Sequence, residues 1–328
     1  MSHSNISVFV PHIGCKCRCS FCNQNSISGE KNAPTVMDVE SAVLTATSAK
    51  NYNPKKTELA FFGGSFTAID RDYMLSLLEV GYKYVKSGVI CGIRISTRPD
   101  AISREILELL KSFGVTAIEL GAQSMSDEVL KLNKRGHLSD DVAKASHLIK
   151  SYYFELGLQM MTGLYGSTVE LDKYTAEQLI LLKPNTVRIY PTIVLKNTEL
   201  EKRYLKGEYP VFSLETTVEL CAELLELFNK NGIKVIRLGL HTINEQDFVA
   251  GPWHPALGEL VESEIYYKKV KSLLKNKGNY LLNVSKNSVS KMIGQKRKNI
   301  LRLKQEGFNC IVKGKDEIEE FEVYLQEM

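Results

Sequence analysis

The sequence predicts an α/β fold: a partial (β/α)6 TIM-like barrel followed by a small basic α+β extension. Three observations carry this. Short apolar strands alternate with amphipathic helices six times over roughly the first two hundred residues, a pattern that calls for parallel strands joined by right-handed crossovers. Residues suited to chemistry recur where those strands end, the face on which barrel enzymes build their sites. A closed or partly closed barrel accounts for that recurrence better than a doubly wound sheet. Finally, between Lys268 and Lys304 there are twelve basic residues and no acidic one, which marks a block of different character.

Taken in order, residues 6–10 form a short strand that feeds a cysteine-rich loop. Residues 36–48 read as a helix, and residues 58–62 as a strand ending at Gly63-Gly64. Residues 70–86 are helical, with Met74, Leu77, Leu78 and Val85 on one face. The strand at 92–96 is stopped by Arg98-Pro99, because the residue before a proline avoids the helical region. A helix over 104–113 ends at Gly114, and a strand follows at 117–120. Residues 126–132 and 140–152 are helical, and 156–162 and 187–190 are the fifth and sixth strands. Beyond residue 200 the pattern changes to a long helix at 213–230, a strand at 234–238, and a loop with a helix start at 251–264.

The hydrophobic fraction of 44% and charged fraction of 24% place the chain with globular proteins. No apolar run reaches the length of a membrane span and no secretory leader is visible, so no membrane partner is expected and the cytoplasm is the expected compartment. The net charge of +4 is too small to name a partner by itself.

Residues 11–24 read Pro-His-Ile-Gly-Cys-Lys-Cys-Arg-Cys-Ser-Phe-Cys-Asn-Gln, so four of the seven cysteines fall within eight residues. Cys15, Cys19 and Cys22 are spaced Cys-x3-Cys-x2-Cys. Thiolates this close can converge on one metal, and soft sulfur selects zinc, copper(I) or an iron–sulfur cluster. Four thiolates would make a structural zinc site or a closed cluster, whereas three on a four-iron cluster leave one iron open to a substrate. A disulfide framework does not suit a chain of this length without a secretory leader. Cys91, Cys221 and Cys310 are scattered and are expected to be buried apolar fillers.

Polar groups follow at successive strand ends. The second strand ends in Phe61-Phe62-Gly63-Gly64-Ser65-Phe66, and glycines there let the backbone approach a ligand. The third ends in Ser96-Thr97-Arg98-Pro99-Asp100, where Asp100 is also placed to cap the next helix. The fourth carries Glu119-Leu120-Gly121-Ala122-Gln123-Ser124. A carboxylate inside an apolar strand needs a partner, either a ligand or a cation across the barrel. Arg135-Gly136-His137 follows a helix, with His137 expected in a structural role. Gln159-Met160-Met161 begins the fifth strand's polar end, its methionines expected in the core, and Arg188 lies on the sixth strand.

The cysteine spacing resembles that of the radical S-adenosylmethionine (SAM) superfamily. Pro11-His12-x-Gly14-Cys15, Cys22-Asn23-Gln24, Gly63-Gly64-Ser65-Phe66, Ser96-Thr97-Arg98-Pro99-Asp100, Glu119-Leu120-Gly121-x-Gln123-Ser124 and Arg135-Gly136-His137 together resemble its Elongator catalytic-subunit-like branch. The bacterial form of that branch, without an acetyltransferase domain, is the one matched, over about residues 8–265. The resemblance implies a 4Fe-4S cluster on Cys15, Cys19 and Cys22, with SAM chelated to the open iron and cleaved to a 5′-deoxyadenosyl radical. It implies a SAM pocket from Gly63, Gly64, Ser65, Ser96, Arg98, Glu119, Gln123 and Arg188, and an electron donor such as flavodoxin or ferredoxin. Cys17 departs from the three-ligand pattern; using it would change the loop register, so it is set aside. Gly163-Leu164-Tyr165-Gly166 stands where the branch has Gly-Leu-Pro, so the substrate can differ.

The C-terminal block holds Ile293-Gly294-Gln295-Lys296-Arg297-Lys298, which resembles the Gly-x-x-Gly turn of a KH RNA-binding module with Arg297 in place of the second glycine. The expected division is a radical SAM partial barrel at 1–200, a barrel-covering extension at 201–264 and a basic KH-like module at 265–328. The expected activity is hydrogen abstraction from a nucleotide in RNA, with tRNA the expected substrate. The alternative is a lyase or modifying enzyme for a free small molecule, a modified nucleobase such as queuine.

Overall fold

The computed structural model describes residues 4–11, 19–23, 32–240 and 243–328. Cys15 and Cys17, and His12, Gly14 and Gln24 of the motif, lie outside the described residues. Seven parallel strands form one curled sheet, a half-barrel. They are β1 (Ser4–Val10), β2 (Thr57–Gly63), β3 (Gly92–Thr97), β4 (Val115–Gln123), β5 (Glu155–Thr162), β6 (Thr186–Pro191) and β8 (Lys234–Leu238). Each strand neighbours the next in sequence, and β1 and β8 are the two edges. Among the described residues the sheet therefore does not close on itself.

The expected partial barrel is present with one strand more than the six read from the first two hundred residues. β8 pairs in parallel with β6 from Thr186↔Lys234 onward. The sheet thus runs past residue 200, and a segment expected to cover the barrel contributes a strand to it. Two helices, α7 (Glu199–Leu205) and α8 (Leu214–Lys230), intervene between those strands.

Helices pack on the outer face: α1 (Val36–Thr47), α2 (Arg71–Lys86), α3 (Arg104–Ser112), α5 (Ser139–Ser151), α6 (Val169–Leu181) and α8, while α4 (Asp127–Leu132) follows β4. Most start at a side chain that accepts from a first-turn N–H, among them Thr35, Asp70, Ser126, Thr168 and Ser213. The cap of α3 is Ser103, not Asp100, because Asp100 is engaged by Arg98.

Strand alternation separates core from site. Ile93 and Ile95, Ile118 and Leu120, Leu156 and Leu158, and Val187 and Ile189 point into the helix-covered core. The intervening Arg94, Ser96, Glu119, Gln159 and Arg188 point to the concave face. Met160 is core, as expected, while Met161 lines the concave cavity. Cys221 is fully buried and Cys310 half-buried, but Cys91 is exposed, its Sγ donating to the Thr57 carbonyl at the turn into β3.

A short antiparallel pair, β7 (Val194–Leu195) with β9 (Phe248–Ala250), sits beyond β6. Helix α9 (Leu257–Leu273) leads into a separate three-stranded sheet of order β11-β10-β12, comprising β10 (Gly278–Ser285), β11 (Phe308–Lys315) and β12 (Val323–Glu327). β10 and β11 are parallel and β12 antiparallel. Helices α10 (Val289–Ile293) and α11 (Lys298–Gln305) cross between β10 and β11. This unit has its own core around Tyr266, Leu282, Met292 and Leu303.

Candidate functional site

The concave face encloses a cavity of about 1010 Å³ that reaches from Asn5 and Glu155 to Cys22 and Gly63 at the strand C-termini. The described part of the cysteine segment is fixed at that mouth from two sides. Ser20 donates through Oγ to Asn133 Oδ1 (2.7 Å) and through its N–H to the Asn133 carbonyl (3.2 Å). On the other side Leu200 N–H donates to the Ser20 carbonyl (2.8 Å), and Asn23 Nδ2 donates to the Lys196 carbonyl (2.9 Å). Between these anchors Cys22 N–H closes a turn on the Cys19 carbonyl, 3.2 Å. Cys22 lines the cavity, and Cys19 stands three residues before it at the same mouth.

Glu119, Arg188, Gln159 and Arg94 form one buried network. Arg188 grips Glu119 with two bonds, Nε to Oε2 (2.7 Å) and Nη2 to Oε1 (2.9 Å). Gln159 donates to Oε2 (3.0 Å), and Arg94 Nη1 lies 3.6 Å from Oε1. Arg94 in turn pairs with Glu58 (2.8 Å) and Glu155 (3.0 Å). Burial opposes the charge on Arg188, but Glu119 outweighs it and raises the guanidinium above its ordinary pKa. The two expectations for Glu119 and Arg188 thus meet in one ion pair. Glu119 is 1% exposed with both oxygens occupied, so it holds Arg188. Arg188 lines the cavity, its guanidinium 4.9 Å above the Phe62 ring.

At the strand ends the other expected residues divide into two layers. Ser96, Gly63 and Gln123 line the cavity. Gly63 has φ +113, and a Cβ there would fall 2.6 Å from the Val10 carbonyl oxygen and 2.7 Å from the Phe9 ring. Gly64 N–H donates to the same Val10 carbonyl (2.8 Å), so the two glycines let β2 close against the entry to the cysteine loop. Ser65 is buried just behind them. Gln123 follows a register shift in β4 and has φ +66, which turns its side chain toward the cavity with Oε1 buried and unpartnered among the described residues. A non-glycine residue held there is strain of the kind found at ligand sites. Arg98 sits behind, forked onto Asp100 (2.8 and 2.7 Å) and donating to the Arg135 carbonyl (3.3 Å).

That second layer links the remaining motifs. Asn133 is fully buried and, besides meeting Ser20, donates to the carbonyls of Val129 (2.8 Å) and Tyr165 (2.9 Å). The Gly163–Gly166 loop is therefore tied to the cysteine segment through one side chain. His137 is buried with Nε2 3.4 Å from the Ala122 carbonyl, and burial together with the Arg135 guanidinium pushes its pKa down to about 4. It is neutral near pH 7, which fits the structural role expected of it.

Asp172 was not singled out in the sequence, yet it anchors the same loop. It accepts from Gly163 N–H (2.7 Å) and Ser167 Oγ (2.6 Å), while Tyr209 Oη donates to the Gly163 carbonyl (2.5 Å). Burial pushes its carboxyl up to about 7, against the two hydrogen bonds. The folded chain then keeps a proton that the unfolded chain, with an aspartate pKa of about 3.9, gives up. Between those two pH values stability falls as pH rises, and the contribution is gone above the folded pKa. Asp172→Asn keeps both contacts without a titrating group. In urea titrations from about pH 4 to pH 7.5, the variant is expected to gain stability relative to wild type as pH rises; parallel profiles would contradict this.

The C-terminal unit is less one-sided in charge than its sequence. Of the twelve cations between residues 268 and 304, five are paired with acids outside that window: Lys268 with Glu223, Lys271 with Glu306, Lys286 with Asp316, Lys291 with Glu262 and Glu320, and Arg302 with Glu264. Lys296, Arg297, Lys298 and Lys304 are exposed and make no ion pair among the described residues. Lys296 (φ 51) and Arg297 (φ 63) are both left-handed, so the arginine adopts the conformation a glycine would take at lower cost. Arg297 and Lys304 border a groove of about 430 Å³ with Ile300, Asn309 and Ile311, which Asn279 of β10 and Met328 also line.

The donor set fits an iron–sulfur centre beside a ligand cavity. Cys19 and Cys22 sit at the mouth, and the buried Arg135 guanidinium, which has no carboxylate partner among the described residues, donates to Cys19 Sγ. An amide oxygen unpartnered among the described residues and the Arg188 guanidinium held by Glu119 line the space beyond.

Comparison with known proteins agrees. Residues 9–178 match the Radical SAM superfamily model and residues 184–267 the Radical_SAM C-terminal domain model. The chain belongs to the radical SAM superfamily, a family of enzymes. Within it, relatives of this chain include Elongator-type proteins, as the motifs suggested. A tRNA uridine(34) acetyltransferase of Methanocaldococcus infernus is 36% identical over 185 residues, 50% of this chain and 35% of that protein. Elongator complex protein 3 of Homo sapiens is 31% identical over 192 residues, 52% of this chain and 35% of that one. The chain spans about a third of the length of these curated relatives. The fold is that of the archaeal Methanocaldococcus infernus Elp3 with an N-terminal deletion, with TM-score 0.66 and 24% identity over 85% of this chain and 66% of that one. Among the described residues no helix is long and apolar enough to cross a membrane.

Proposed function

We propose that this radical SAM enzyme abstracts hydrogen from a nucleotide in RNA, with tRNA as the substrate. The observation that carries the reading is the cavity of about 1010 Å³ running from Cys22 to the open edges of the half-barrel. It is at the upper end of small-molecule pockets, room for SAM and a splayed-out nucleotide together. Cys15, Cys19 and Cys22 would hold a 4Fe-4S cluster. The chemistry such a cluster supplies is one-electron cleavage of SAM to methionine and a 5′-deoxyadenosyl radical, the electron coming from a donor such as flavodoxin or ferredoxin.

The chain's own residues do the positioning. The Gly63-Gly64-Ser65 turn offers backbone for the SAM amino group, and Arg188, held flat by Glu119, offers its guanidinium to the carboxylate. Ser96 and Gln123 offer hydroxyl and amide to the ribose. Arg98 acts from behind, holding the turn that carries Arg135. The apolar floor of Phe62, Met161 and Ile193 excludes water from the reacting end.

Two things support RNA as the substrate. Relatives matched over half of this chain include tRNA uridine(34) acetyltransferases, and the KH-like unit leaves Lys296, Arg297, Lys298 and Lys304 free for phosphates. Each phosphate neutralised on a single strand contributes about 0.7 to the slope of log affinity against log salt. Lys296→Gln with Arg297→Gln is therefore expected to flatten the slope for tRNA by about 1.4, measured by fluorescence anisotropy. An unchanged slope would remove this surface from the reading. The activity test is isotopic. Deuterated total tRNA, SAM, dithionite and the iron-loaded enzyme should yield deuterium in 5′-deoxyadenosine by mass spectrometry. Transfer from a deuterated free nucleobase and not from tRNA would refute it.

A further inference from the structure

Arg135 belongs to the Arg135-Gly136-His137 motif. It is 8% exposed, and among the described residues its guanidinium donates from Nη1 to Cys19 Sγ at 3.0 Å and from Nη2 to the Gly121 carbonyl at 2.7 Å. Its third nitrogen, Nε, is buried without a partner among the described residues. No carboxylate pairs with it among the described residues, whereas the neighbouring buried arginines Arg94, Arg98 and Arg188 each face one. A buried cation without a counter-charge is costly, and a metal-bound thiolate at Cys19 would supply one.

The placement is held from several directions. Arg135 N–H donates to the Leu130 carbonyl (3.0 Å), and its own carbonyl accepts from Arg98 Nη2 (3.3 Å). Lys134 (φ 53) and Gly136 (φ 73) are left-handed on either side of it, so the backbone makes a tight turn there. Gly121 leaves the space the guanidinium fills, since a Cβ there would come 3.3 Å from Nη2.

We propose that Arg135 is a positioning residue that sets the redox poise of the centre by donating a charge-assisted hydrogen bond to the Cys19 thiolate. An N–H donated to a ligating sulfur withdraws electron density from it and stabilises the more negative, reduced form. A cluster held there would take one electron from a low-potential donor, dithionite in vitro, and the guanidinium would offset part of the added charge. The proposal rests on Cys15, Cys19 and Cys22 being the cluster ligands.

The test is a redox titration of the anaerobically reconstituted full chain, followed by electron paramagnetic resonance, for wild type, Arg135→Gln and Arg135→Lys. Arg135→Gln is expected to shift the midpoint downward so that the reduced-to-oxidised ratio at a fixed potential falls tenfold, about 59 mV for one electron. Arg135→Lys, which keeps the charge and loses the fork, should fall between. The signal comes only from loaded protein, so partial loading of a variant leaves the midpoint readable. Midpoints unchanged in both variants, or a weaker SAM affinity with the wild-type midpoint, would overturn the proposal. A wild-type chain that loads no iron would instead overturn the cluster assignment beneath it.

Discussion

Cys19→Ala and Cys22→Ala are each expected to abolish formation of 5′-deoxyadenosine from SAM, a loss of at least about a thousandfold, equivalent to about 4 kcal/mol. The size follows from the geometry. Both thiols lie in a five-residue segment pinned by Ser20 to Asn133 and Leu200 and by Asn23 to Lys196, so no other described cysteine can move in to replace one. Cys91 and Cys310 lie on the outer turn into β3 and on β11, and Cys221 is sealed in the core. The variants should remain folded, because neither side chain belongs to the hydrophobic core. Iron and acid-labile sulfide per chain, read beside the SAM assay, check the cause. Cleavage that persists in Cys19→Ala would mean that the cluster has been placed on the wrong residues. Cys17→Ala is the matched control and should leave cleavage intact.

Glu119→Gln is expected to cost about 3 kcal/mol of stability and to weaken SAM binding. Glu119 is the counter-charge of Arg188 and lies 3.6 Å from Arg94. Removing its charge leaves Arg188 buried against Phe62 without a carboxylate, while Arg94 keeps Glu58 and Glu155. The loss therefore falls mainly on one residue. Arg188→Met in the Glu119→Gln background should recover part of the stability but not the SAM affinity, because the buried cation is gone along with the fork. Urea unfolding of the two single variants and the double variant measures the coupling. Additive costs would show that the pair is not a unit.

Much of this was visible in the sequence for identifiable reasons. Period-two strands put Glu119 and Arg188 on the same face as Ser96, and a carboxylate among isoleucines and leucines announced that it needed a partner. That the partner was Arg188 was not readable, since it is 69 residues away across the intervening β5. The alternation of units revealed the partial barrel, but two helices before residues 234–238 disguised that the strand read there joins the same sheet. The basic block looked uncompensated because Glu223, Glu262, Glu264 and Glu320 lie outside the stretch that holds their lysine and arginine partners. Arg135 reaches Cys19 over 116 residues, and no local pattern encodes that contact. The Arg135-Gly136-His137 motif marked the position without revealing its purpose. Asp172 gave no signal, because an acidic residue in the first turn of a helix ordinarily serves the helix end.

The central claim is that Cys15, Cys19 and Cys22 carry a 4Fe-4S cluster that opens onto the cavity and cleaves SAM. The most direct test is to reconstitute the chain anaerobically with iron and sulfide, add dithionite and SAM, and quantify 5′-deoxyadenosine and methionine. The two products should appear in equal amounts, with about four irons per chain and with none formed by Cys19→Ala. Iron-loaded wild-type protein that leaves SAM intact under dithionite would contradict the account.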